Sequence, residues 1–135
     1  MNCRSSPKEV RILFLDDSGA RARRFTEVCP QAVWVTGSRE CIRLLSQDWD
    51  EVWLDHDLGG EVFVDSRRED CGMEVVRHMA ANRPEHLLRT RFVVHSLNFA
   101  AARRMVRELR RAGYECIHRP FPYTEEGMAD DWWDC

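Results

Sequence analysis

A chain of 135 residues, 44% hydrophobic and 32% charged, has the composition of one globular domain large enough to bury a core. A formal net charge of -3 gives no global drive toward nucleic acid or an anionic membrane surface, and no apolar run approaches a membrane span. The positive charge is nearly all arginine, with Lys8 the single lysine, a bias that suits phosphate recognition but also follows from base composition.

Residues 1–9 read as a disordered leader without the apolar core of a secretory signal. Cys3, Cys29, Cys41, Cys71, Cys116 and Cys135 form no Cys-x-x-Cys pair, which argues against structural zinc and predicts reduced thiols in a cytoplasmic protein. The domain is expected over 10–121. Val10 to Leu15 forms a strand that stops at Asp16-Asp17, and Asp17 or Ser18 caps a helix from about Ala20 to Cys29, closed by Pro30. Ala32 to Val35 is a second strand, and Ser38 is the natural cap of a helix from about Arg39 to Gln47. Val52 to Leu54 is a third, ending abruptly in Asp55-His56-Asp57 before a Gly59-Gly60 turn.

The insert Glu61 to Asp70 is charged and is expected as an exposed loop beside the crevice. Gly72 to Asn82 reads as a helix with Met73, Val76 and Met79 as its buried stripe. Arg91 to Val94 is a fourth strand ending at His95-Ser96, and Asn98 caps a helix from Phe99 to Ala112, ended by Gly113. Tyr114 to Ile117 is the fifth strand, closed by His118-Arg119-Pro120-Phe121. Residues 122–135 form an acidic tail containing Trp132-Trp133. Strands alternating with helices predict an α/β fold: a flavodoxin-like parallel five-stranded sheet with helices on both faces and the last helix short or absent. Strand order cannot be read from the chain.

Polar residues concentrate at four strand ends: Asp16-Asp17, Asp55-His56-Asp57, His95-Ser96 and His118-Arg119. In a doubly wound sheet such ends share one edge, where ligands bind. Carboxylates crowded there repel one another unless a cation relieves them, and oxygen ligands suit Mg²⁺. Asp16, Asp17, Asp55 and Asp57 are therefore the candidate metal residues, with helix capping as their ordinary alternative. His56 and His95 are candidates for general acid and base, or else hydrogen-bonded structural histidines. Ser96 and Arg119 can hold phosphoryl oxygens, although Ser96 and Asn98 can equally serve as caps. Arg103-Arg104, Arg107 and Arg110-Arg111 read as a solvated helix face.

From Val10 to Phe121 the chain resembles a receiver domain of two-component signalling. Asp16-Asp17 match the acidic pair, Asp55 the phospho-accepting aspartate and Ser96 the strand-four hydroxyl, while Arg119-Pro120-Phe121 stands where receivers carry Lys-Pro-Phe. Leu15-Asp16-Asp17, Leu54 to Gly60 and His95-Ser96-Leu97-Asn98 resemble the divergent cyclic-phosphate-processing receiver-like branch. That resemblance implies Mg-dependent phosphoesterase chemistry on a cyclic phosphate or nucleotide, with Asp55, His56, His95, Ser96 and Arg119 as catalytic residues. The alternatives are a stand-alone signalling receiver phosphorylated on Asp55, or a degenerate receiver that binds protein. A phosphate-containing small molecule or nucleotide is the expected partner, a protein partner remains open, and membrane or general nucleic-acid binding is not expected.

Overall fold

In β1 (Ile12–Leu15), β3 (Glu51–Leu54), β4 (Arg91–Val94) and β5 (Glu115–His118), successive side chains alternate between two separate cores. Leu13, Leu15, Val52, Leu54, Phe92, Val94 and Cys116 point to one layer; Ile12, Phe14, Trp53 and Val93 point to the other. Both faces are thus covered, which is why these strands read as continuous apolar runs. The computed structural model describes residues 10–121; the leader expected over 1–9 and the acidic tail over 122–135 lie outside the described residues.

With β2 (Val33–Val35), the strands form one five-stranded parallel sheet in the order β2-β1-β3-β4-β5. The larger core is closed by α2 (Ser38–Leu44), α3 (Gly72–Asn82) and α4 (Phe99–Arg111). On the opposite face α1 (Gly19–Val28) contributes Ala22 and Phe25, and the Phe25 ring stacks on Phe14 at 4.1 Å. Burying such a ring contributes about 1.5–3 kcal/mol. The architecture is flavodoxin-like, with the chain reversing direction across the sheet between β1 and β3. That reversal leaves a crevice beyond the strand C-termini, where Asp16 and Asp55 stand.

Local chemistry explains most boundaries. Ser18 caps α1 by accepting the Arg21 N–H, and Asn98 caps α4 by accepting the Ala101 N–H. Ser38 does not cap α2 as expected: Gly37 takes that place, and the Ser38 hydroxyl instead donates to the Glu69 carbonyl at 2.7 Å. A tertiary partner has drawn the side chain away from its own helix. α2 also ends at Leu44, short of Gln47, and a 3₁₀ turn at Glu85–Leu87 follows Pro84. β5 runs one residue later than expected and includes His118. Cys41, Cys71 and Cys116 are free thiols and all three are buried.

The start of α3 is packed directly on the end of β3. The Gly72 N–H donates to the His56 carbonyl at 2.8 Å, and a Cβ on Gly72 would run into the Asp55 carbonyl oxygen. Only glycine permits that approach. Gly72→Ala should therefore cost about 3 kcal/mol or more, because backbone must move against backbone rather than a side chain rotate. Urea unfolding checks this; a loss below about 1 kcal/mol would show that the contact is soft.

Candidate functional site

Asp16 is fully buried where β1 leaves the sheet. Its N–H donates to the Val35 carbonyl, its carbonyl accepts the Trp34 indole N–H at 2.7 Å, and Oδ1 accepts the Ser18 N–H at 2.8 Å. Asp55 holds the equivalent place one strand away, its N–H donating to the Leu15 carbonyl at 3.1 Å. Oδ1 of Asp55 accepts the His56 N–H, while Oδ2 is buried without a hydrogen-bond partner. Asp17 Oδ2 accepts the Gly60 N–H at 2.6 Å, tying the first acidic loop to the glycine turn after β3. Gly59 and Gly60 both hold positive φ, 74° and 78°, and so make that turn without strain. One ligand atom from each of Asp16, Asp17 and Asp55 lies within 4.8 Å of the others. This cluster could hold a divalent cation.

Arg21 faces that cluster. Its Nε and Nη2 donate to the two oxygens of Asp16 at 2.7 and 2.9 Å, and Nη2 lies 3.5 Å from Asp55 Oδ2 and 3.6 Å from Asp17 Oδ1. Sequence reasoning missed this residue. A signal was present: Arg21 sits in the first turn of α1, where the helix dipole disfavours a cation, so a strong anionic partner was implied. Burial, followed by the neighbouring Asp16 carboxylate, pushes Asp55 up to about 7 despite the opposing pull of Arg21 and the His56 N–H.

His95 is buried beside Asp16. Its Nε2–H donates to the Leu15 carbonyl at 3.0 Å, its ring stacks on Phe14 at 4.9 Å, and Nδ1 lies 3.7 Å from Asp16 Oδ2. Burial lowers its pKa and keeps the ring neutral. The Ser96 hydroxyl accepts the Asn98 N–H at 3.0 Å, which leaves its own proton available to a ligand. His118 Nε2–H donates to the Ser96 carbonyl at 3.0 Å and braces that loop from β5. Arg119 is half-buried at the end of β5, with its N–H on the Val94 carbonyl.

Asp57 and His56 turn toward the insert. Asp57 Oδ1 meets His56 Nδ1 at 2.7 Å, the Val64 N–H at 3.0 Å and the Asn98 amide at 3.3 Å; Oδ2 accepts the Phe63 N–H at 2.8 Å. Burial works to raise the Asp57 pKa, but these donors together hold it below the usual range. The carboxylate is saturated, and it does not join the three-carboxylate cluster. His56 is fully buried with Nε2 at 2.9 Å from the Ser66 hydroxyl. Burial disfavours its charged form, yet the neighbouring Cys71 and the Asp57 carboxylate raise its pKa overall.

A cleft of about 470 Å³ gathers Asp17, Arg21, Asp55, Asp57, His95 and Ser96, with Val62, Phe63 and Leu97 on its apolar side. That volume is within the range of small-molecule sites. His56 and Arg119 are not among its lining residues. No helix among the described residues is long and apolar enough to cross a membrane.

A family model described as a cyclic-phosphate processing receiver domain matches residues 11–111. No curated protein matches the chain. Among solved structures, a CheY-like response regulator receiver domain from Methylobacillus flagellatus superposes with TM-score 0.60 at 18% identity, covering 89% of this chain and 92% of that one. A response regulator from Colwellia psychrerythraea gives 0.57 at 13%, with 82% of each chain covered. The solution structure of a response regulator from Burkholderia multivorans gives 0.56 at 16%, covering 85% and 86%. At such identities the likeness establishes the fold.

The raised Asp55 pKa fixes a pH dependence. Between about pH 4 and pH 7 the folded chain keeps a proton that the unfolded chain has released, so metal-free stability falls as pH rises through that window and levels off above it. Denaturant unfolding in the presence of a chelator should show a loss of a few kcal/mol, and Asp55→Asn should remove most of that slope.

Proposed function

The chain belongs to the cyclic-phosphate processing receiver domain family, and on that footing we propose that its β1/β3 edge is a Mg²⁺-dependent phosphoesterase site acting on a cyclic phosphate or nucleotide. The observation that carries this reading is Asp55 Oδ2, a buried oxygen without a hydrogen bond inside a cluster of three carboxylates. Leaving such an atom unsatisfied is costly, and a hard divalent cation is the partner that an all-oxygen donor set fits. Asp16, Asp17 and Asp55 would hold the ion. Bound there, it would neutralise the carboxylates and polarise phosphoryl oxygens.

The remaining roles fall to the chain's own groups. Arg21 supplies a guanidinium beside the carboxylates, whereas Arg119, which stands where receivers carry lysine, does not line the cleft. The Ser96 hydroxyl donates to a phosphoryl oxygen. His95, neutral and anchored through Nε2, offers Nδ1 as general base: water forms the new P–O bond and gives its proton to Nδ1, and the departing ring oxygen takes a proton from solvent. Asp57 and His56 act as positioning residues by fixing the insert.

The signalling-receiver reading rests on the same open oxygen of Asp55, which is the atom a phosphoryl group would join. The two separate by experiment. With Mg²⁺, the protein should open at least one member of a panel of 2′,3′- and 3′,5′-cyclic nucleotides. Chelation should abolish turnover, and His95→Ala should lower it about a hundredfold or more. Labelling of Asp55 by acetyl phosphate with no ester hydrolysis overturns the phosphoesterase in favour of the receiver.

A further inference from the structure

The insert exposes two apolar side chains at the mouth of the cleft. Val62 and Phe63 are 77% and 78% exposed, and both line the cavity shared with Asp17, Arg21 and Asp55. Phe63 also holds φ 53°, a left-handed backbone that strains a bulky residue. This conformation is imposed from the site itself. The Phe63 and Val64 N–H groups both donate to Asp57, which lies two residues after Asp55 and is gripped in turn by His56 and Asn98. Buried Val64 anchors the turn from below. A ring so exposed gains the fold little, and glycine would hold the same turn without strain. Asp57 thus presents an aromatic face over the cleft at some cost in stability, and a flat apolar ligand would recover that cost.

We infer that Phe63, which lines the cleft together with Val62 and Leu97, is a stacking platform for a nucleobase, so that the ligand is a base-bearing cyclic phosphate rather than the cyclic phosphate of a bare sugar or polyol. This rests on the phosphoesterase reading of the acidic cluster. The cleft combines a floor of carboxylates and Arg21 with an apolar rim, matching a ligand that carries a phosphate at one end and a flat ring at the other. Aromatic stacking tolerates any base, because every base offers a π-face.

The test compares 2′,3′-cyclic AMP with ribose 2′,3′-cyclic phosphate in the presence of Mg²⁺, with binding read by titration and turnover by chromatography. The intact protein should bind the base-bearing ligand roughly tenfold more tightly, in line with one stacked base. Phe63→Ala and Phe63→Gly should each bring the two affinities to within about twofold. Phe63→Gly should also melt at a higher temperature, since it relieves the left-handed strain. Absence of base preference in the intact protein, or its persistence in Phe63→Ala, overturns the platform, as does a lower melting temperature for Phe63→Gly. Base-selective binding without hydrolysis keeps the platform and removes the phosphoesterase; hydrolysis of both ligands with equal affinity does the reverse.

Discussion

The carbonyl of Leu15 accepts two donors, the Asp55 N–H and the His95 Nε2–H, and so gathers the ends of β1, β3 and β4 around one point. Everything at the sheet edge follows from that convergence. It brings Asp16 and Asp55 together in a place with little water, where like charges at about 4 Å repel by about 4 kcal/mol even at moderate screening. Arg21 offsets part of this by engaging both oxygens of Asp16, but it reaches Asp55 Oδ2 only at 3.5 Å. The residual imbalance is held in one buried oxygen, and it is what makes the edge receptive to a cation.

A second network runs from the same loop in the opposite direction. Asp57 collects donors from His56, Phe63, Val64 and Asn98, and so joins the end of β3 to the insert and to the cap of α4. Neighbouring carboxylates in one tripeptide thereby take different tasks. Asp55 is left short of donors and its proton affinity rises, whereas Asp57 is oversupplied and its affinity falls. Environment, not residue type, separates them.

The histidines at the strand ends fit this picture as braces. His95 spans the mouth of β3 to reach the Leu15 carbonyl, His118 holds the Ser96 carbonyl, and His56 bridges Asp57 and Ser66. Each ring is satisfied by a specific acceptor or hydroxyl. Of the three, His95 is the one that lines the cleft, and it keeps a ring nitrogen toward the carboxylates.

Much of this architecture was legible in the chain itself. Short apolar runs broken by Asp16-Asp17, Asp55 and His95-Ser96 determine strands, their ends and a common polar edge, because burial on both faces demands apolar runs and the open edge tolerates polar residues. The family resemblance was written in the same stretches, and the model match over residues 11–111 agrees with it. Contacts between distant segments were decided only by the tertiary structure. Strand order, the reach of Arg21 to Asp55, the diversion of Ser38 from its helix to Glu69, and the tie between Asp57 and Asn98 all depend on partners many residues away. Local sequence sets the hydrogen-bonding capacity of each group. Which partner meets that capacity is a matter of three-dimensional proximity, and no periodicity records it.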